Sequence, residues 1–148
     1  MKTNVTIIIL SLLIPLSSVS AANDTSKDYA MQGKRAWVAF EGCSLASIVG
    51  DQKKSKRFFE IGYTQGKEFV EAYKAGKIKK EDLSSEVPVI VLLLLEGPSN
   101  DFILGRFFEN AQREALKDIY QKAETDEGRK LRAEDALFRG NYDLLLDK

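Results

Sequence analysis

The chain has 148 residues, with 22 basic and 22 acidic side chains, one cysteine and no histidine. The absence of imidazole excludes Ser-His-Asp and Cys-His catalysis and any histidine zinc site, and Cys43 alone cannot form an internal disulfide. Balanced charge argues against a general binder of nucleic acid or anionic membrane, and no CxxC motif or nucleotide-binding loop is present, so no metal or cofactor is expected.

The first 21 residues read as a secretory leader. Lys2 supplies a basic start, Ile7 to Leu16 an apolar run broken by Ser11 and Pro15, and Val19-Ser20-Ala21 the small residues a signal peptidase reads. That run is too short to cross a hydrocarbon layer of roughly 30 Å. The expected organisation is a signal peptide over residues 1–21 and a single helical domain over 22–148 without a mature transmembrane segment. The product is expected to be exported: periplasmic in a Gram-negative cell, otherwise secreted.

Residues 22–27 are polar and expected to be loose. Asp28 to Val49 reads as the first helix, because Ala36, Trp37, Phe40, Cys43, Ser44 and Ser47 recur three and four apart. Its glycines, Gly33 and Gly42, each weaken a helix interior by about 1 kcal/mol. Gly50 is a natural stop and Asp51 a cap for a second helix running to Ala75, with Gly76 beyond its end. Phe58, Phe59, Gly62, Tyr63, Gly66, Phe69, Val70 and Tyr73 form its apolar stripe. The spacing Gly62-x-x-x-Gly66 predicts close approach of a second backbone.

Lys77 to Ser85 reads as a polar connector. Val87 to Leu95 is the most apolar stretch after the leader, and length alone leaves helix and strand open. A helix is favoured, with Ser85 as cap and Pro88 in the first turn; a helix apolar on every side belongs at the centre of a fold. Gly97-Pro98 ends it. Ser99 or Asp101 then caps a fourth helix, Asn100 to about Ala123, with Leu104, Phe107, Phe108, Ala111, Ala115 and Ile119 facing inward. Thr125 caps a fifth carrying Leu131, Ala133, Ala136, Leu137 and Phe138, which ends near Gly140-Asn141. The tail from Tyr142, with Leu144, Leu145 and Leu146, is expected to dock. The fold class is all-α: a compact bundle of four to five helices.

Arg57-Phe58-Phe59-Glu60 recurs as Arg106-Phe107-Phe108-Glu109, and in register Gly62, Gly66 and Val70 meet Ala111, Ala115 and Ile119. A duplicated hairpin and convergence on one packing solution both predict that these faces are buried. Within each motif Arg and Glu sit three apart, the spacing of a solvated ion pair. Charge is uneven along the chain. Residues 22–80 hold 12 Lys/Arg and 7 Asp/Glu, whereas residues 81–148 hold 9 and 15. The plain reading is that the two halves fold against each other; a charged partner is the other.

Two sets of residues stand out as partner-binding candidates. Ser99, Asn100 and Asp101, after the stiff Gly97-Pro98 turn, present a hydroxyl, an amide and a carboxylate at a helix start, and are expected to be exposed. Lys53, Lys54 and Arg57 concentrate positive charge at the start of the second helix, where it opposes the helix dipole. No catalytic residue is assigned. Glu41, Glu60, Glu96, Asp101 and Glu109 lie near apolar faces, yet nothing in their spacing selects the pair a glycosidase needs. By elimination the chain is expected to be a non-enzymatic binding protein. Its partner would be another envelope or secreted protein, as for inhibitors and immunity-type proteins that plug an envelope enzyme, with a homodimer as the other option. The alternatives are a small apolar-ligand carrier, with a cavity among Phe58, Phe107 and Leu93, and a carboxylate-dependent cell-wall glycan hydrolase.

Overall fold

A computed structural model describes residues 24–147, so the leader expected over residues 1–21 lies outside the described residues. All regular structure among them is helical: α1 (Ser26–Val49), α2 (Gln52–Lys74), α3 (Lys80–Glu86), α4 (Val89–Leu92), α5 (Asn100–Lys122), α6 (Asp126–Arg139) and a 3-10 helix (Tyr142–Leu145). Four are long and two short, so the all-α expectation holds with two more elements than the periodicity resolves. Among the described residues no helix is long and apolar enough to cross a membrane.

α1 starts two residues before the expected boundary. Thr25 caps it, and the Asp28 carboxylate accepts in turn from the Thr25 backbone N–H, a reciprocal capping box. It ends at Gly50, whose φ of 89° is left-handed backbone that a Cβ would strain. Asp51 follows at once and accepts from the Lys54 N–H at 2.9 Å. α1 and α2 therefore form a tight antiparallel hairpin. Across it the Cys43 thiol is buried beside the Ser55 hydroxyl, which donates to the Cys43 carbonyl at 3.0 Å.

α1, and not Val87–Leu95, is the central element. Twelve of its residues are buried, from Ala30 to Ala46, and they lie all around the helix. α2, α5, α6 and α3 all pack on it. Most of those twelve are small, and this explains the error: alanine, glycine and serine carry little hydropathy, but they let neighbours approach from every direction. Ser47, expected on the inner face, is exposed.

Val87–Leu95 is not a continuous helix. Pro88, which lacks an N–H, separates α3 from α4, and α4 spans four residues before a turn. Val87, Val91, Leu94 and Leu95 are buried, whereas Val89 and Leu93 are 75% and 69% exposed. Ser85 does not cap this segment; it closes α3, donating to the Asp82 carbonyl. The expected polar connector contains all but the last residue of α3, whose first turn carries Glu81 and Asp82, the charge a helix N-terminus favours. Leu83 fixes α3 to the core.

The core has two lobes joined along α1. One gathers Trp37, Phe40, Phe69, Val91, Ile103, Leu104 and Phe107; the other gathers Cys43, Leu45, Phe58, Ile119, Ala133 and Leu137, and Phe108 touches both. The repeated motifs of α2 and α5 meet between them. Phe59 and Phe108 cross at 5.7 Å and 80°, and Phe40 contacts both rings. In each motif the first phenylalanine is fully buried and the second is not. On α6 the expectation is partly reversed: Ala133 and Leu137 are buried, but Leu131 and Phe138 face solvent at 66% and 83% exposure. A 14-residue helix packed along one side cannot bury a stripe that broad.

Glycines set the closeness of the packing, through rings and branched side chains in place of the expected backbone contact. A Cβ on Gly62 would stand 2.6 Å from the Phe40 ring, one on Gly66 2.6 Å from Leu104, and one on Gly33 2.8 Å from Phe69. Gly105, exposed in mid-α5, has nothing within 4 Å of that position. Gly62→Ala is expected to lower stability by about 1–3 kcal/mol by overpacking. Gly105→Ala is expected to raise it by about 0.5–1 kcal/mol. Denaturant midpoints of the two variants check both signs.

Candidate functional site

The loop between α4 and α5 carries the first candidate site. Ser99 caps α5, accepting from the Phe102 N–H at 3.1 Å. Asn100 Oδ1 accepts from Lys74 Nζ at 2.8 Å, and Asp101 accepts from the Tyr63 hydroxyl at 3.0 Å. Ser99 and Asp101 are exposed and Asn100 is half-buried. All three tie α5 to α2 or close its first turn, yet they keep faces toward solvent. The hydrogen bond to Asp101, and after it the Asp101 charge, push the Tyr63 hydroxyl above its ordinary pKa.

Next to this polar rim lies exposed apolar surface, three residues of which belong to the Val87–Leu95 stretch expected at the centre of the fold. Val89, Ile90 and Leu93 project from α4 and the turn after it, and Phe102 from the start of α5, with exposures from 39% to 75%. Arg106 holds the segment rigid. Its guanidinium donates to the Glu96 carbonyl at 2.9 Å and the Leu93 carbonyl at 3.2 Å, and sits 5.9 Å from the Phe102 ring centroid. Gly97 lies close against that ring, where a Cβ would meet Phe102 at 2.5 Å.

The second candidate set is elsewhere. Lys53, Lys54 and Arg57 start α2, whereas Lys74, which holds Asn100, ends it. Along α2, Lys74 lies about 30 Å of rise beyond Lys54, but Tyr63, which holds Asp101, lies only about 9 Å beyond Arg57. Lys53 is exposed. Lys54 pairs with Asp143 at 2.9 Å, and Arg57 donates to the Leu146 carbonyl at 2.7 Å. The basic start of α2 is thus answered by Asp51 and by the C-terminal tail.

The two arginines of the repeated motif share a role that the sequence reading missed. Neither makes the expected ion pair with its own glutamate. Glu109 pairs with Arg113 at 3.1 Å, and Glu60 with Lys56 at 3.9 Å. Each guanidinium instead reaches backbone carbonyls of a non-helical segment, Arg106 the turn at 93–96 and Arg57 the tail. Five donors in a fixed fork suit this task, which a lysine would perform poorly. The recurrence of arginine before an aromatic pair was the available signal.

Tyr142 docks the tail more deeply. Its ring meets Phe58 edge-on at 6.4 Å and fits over Gly42. Its hydroxyl lies 3.1 Å from Glu41 Oε2, while Trp37 Nε1 donates to Glu41 Oε1 at 2.8 Å. Burial pushes the Glu41 carboxyl above its ordinary pKa; the two hydrogen bonds oppose this and Glu114 adds to it. Burial and the Glu41 charge push the Tyr142 hydroxyl up as well. The other carboxylates singled out in the sequence do not gather around Glu41. Glu60 and Glu109 pair with separate cations, Asp101 with Tyr63, and Glu96 is exposed in the turn. Phe58 and Phe107 are sealed in different core lobes and Leu93 is on the surface, so these three line no common cavity. Among the described residues no group of three or more Cys, Asp or Glu side chains has metal-binding geometry.

A groove of about 440 Å³ opens between α2, α1 and the tail, lined by Arg35, Arg57, Glu60, Ile61, Thr64, Gln65, Leu145 and Leu146. Comparison with known family models, curated proteins and solved structures finds no match.

Because Glu41 holds its proton longer when folded than when unfolded, stability is expected to fall as pH rises from the ordinary glutamate value, about 4.3, through the raised one. Glu41→Gln keeps partners for Trp37 and Tyr142 and cannot titrate. Its stability relative to the parent is expected to improve across that window and to stay level below it. Denaturation followed by Trp37 fluorescence at several pH values measures the difference; parallel curves would remove the assignment.

Proposed function

We propose that this chain is an exported docking protein, not an enzyme, and that it binds another envelope or secreted protein. One observation carries the reading: Val89, Ile90, Leu93 and Phe102 are exposed apolar side chains on a segment that Arg106 braces through the Glu96 and Leu93 carbonyls. Soluble monomers rarely expose a large contiguous apolar patch without use for it. A patch with an apolar centre and the polar edge of Glu96, Ser99, Asn100 and Asp101 has the anatomy of a protein interface. The two carbonyl contacts of Arg106 reduce the ordering cost on binding. The acidic edge suits a partner surface with basic groups around an apolar recess. Inhibitors and immunity-type proteins of envelope enzymes work in this manner, through shape and charge. Export rests on the leader-like start of the sequence.

The test is retention of a partner from envelope extract by immobilised protein, followed by reconstitution with the purified partner. Val89→Asp/Leu93→Asp is expected to lose the partner by at least tenfold in affinity, with an unchanged melting curve since both residues are exposed. Leu131→Asp/Phe138→Asp on α6 is expected to bind as the parent does. Equal retention by the first double variant would sink the proposal. Sedimentation of the parent chain reports whether the partner is a second copy.

A further inference from the structure

We propose that the groove between α2 and the tail is a binding site for a small amphipathic carboxylate, a singly charged acid with an aliphatic body. The site is separate from the docking surface. Along α2, Arg57, Glu60, Ile61, Thr64 and Gln65 recur at helical spacing on one flank, and Phe59 and Tyr63 lie on the opposite one. Ile61 and Tyr63 alone are about 200° apart around the axis. The groove's volume, about 440 Å³, lies in the range of small-ligand sites.

The lining has two parts with different chemistry. The first is cationic. Arg35, half-buried on α1, makes no ion pair or hydrogen bond with any described residue, and a guanidinium so placed attracts an anion. Arg57 spends one arm on the Leu146 carbonyl at 2.7 Å and retains other N–H donors. Glu60 stands on the same lining, so two positive charges face one negative charge. That balance favours one carboxylate over a polyanion. Thr64 adds a hydroxyl. The Gln65 Oε1, shielded from solvent and without a hydrogen-bond partner, is an acceptor and contributes nothing to holding a carboxylate. The second part is apolar. Ile61 forms the α2 side, and Leu145 and Leu146 the tail side, all three half-buried. A chain of methylenes laid between them leaves water while its head stays with the guanidiniums.

The tail wall is built in. Tyr142 on Glu41, Asp143 on Lys54 and the Leu146 carbonyl on Arg57 fix three points of a six-residue segment. Leu145 and Leu146 are therefore held facing the groove without a ligand, which lowers the ordering cost of binding.

The experiment titrates the full chain with decanoate, decyltrimethylammonium and decanol, all kept below their aggregation thresholds. Calorimetry gives affinity, and methyl resonances of Ile61, Leu145 and Leu146 give location. Decanoate is expected to saturate at one per chain and shift those three residues. It should bind at least tenfold tighter than decanol, and the cation weaker still. Arg35→Gln is expected to weaken decanoate at least tenfold, Arg35→Lys to recover most of the loss, and Arg35→Glu to reverse the preference toward the cation. Each variant's melt shows that it folds. Three outcomes would overturn the site: equal binding of the three amphiphiles, indifference to Arg35→Gln, or shifts confined to Val89 and Leu93. Val89→Asp/Leu93→Asp is expected to leave decanoate binding unchanged, so failure of the docking reading and failure of this one are distinguishable.

Discussion

The burial of α1 on all sides is the constraint on which the rest of the structure depends. A helix can be surrounded only if its own side chains leave room, and α1 supplies that room with Ala30, Gly33, Ala36, Ala39, Gly42, Ser44 and Ala46. The large rings come partly from α1 itself, where Phe40 enters the gap at Gly62, and partly from its neighbours, where Phe69 covers Gly33 and Phe58 covers Gly42. Each glycine weakens its helix by about 1 kcal/mol, whereas removing a buried phenylalanine costs about 3–5 kcal/mol. The exchange favours the interlocked arrangement. It also fixes the distance between α1 and α2 and thus the depth of the groove on their shared edge.

Around this centre, two arginines convert irregular backbone into defined surface. Arg106 holds the turn that presents Val89, Leu93 and Phe102, and Arg57 holds the tail that presents Leu145 and Leu146. Neither segment has enough helical hydrogen bonding to order itself. Guanidinium donors satisfy carbonyls that a helix end or turn leaves over. The repetition of Arg-Phe-Phe-Glu on α2 and α5 therefore has a physical content beyond burial: the first ring packs inward, and the preceding arginine reaches outward to a non-helical neighbour.

The uneven charge along the chain is in part an internal matter. Glu86 of α3 sits between Lys27 and Lys34 of α1 at 3.5 and 3.9 Å, and Asp143 pairs with Lys54. These pairs join the basic first half to the acidic second half. Exposed pairs contribute roughly 0–1 kcal/mol each, so their effect is on register more than on stability. Glu41 is different. It is a half-buried carboxylate that meets two aromatic donors, Trp37 and Tyr142, and it links the tail to the middle of α1.

The sequence by itself determined the helical class, the α1–α2 turn at Gly50-Asp51, the cap Thr125, the choice of Ser99 or Asp101 as the cap of α5, the lone thiol and the absence of imidazole chemistry. Those features are local: caps, left-handed glycine and periodicity act within a few residues. It also pointed to Ser99–Asp101 as a surface loop beside a stiff turn. Only the tertiary structure decided which helix is central, because hydropathy weights large apolar residues and α1 is buried through small ones. Only it placed Val89, Leu93, Leu131 and Phe138 outside, since exposure depends on which neighbours exist to cover a face. It likewise decided that Arg57 and Arg106 grip backbone instead of their own glutamates, and that Arg35, Gln65 and Leu146 share one groove, because residues as far apart in the chain as Arg35 and Leu146 come together through packing that no short-range pattern encodes.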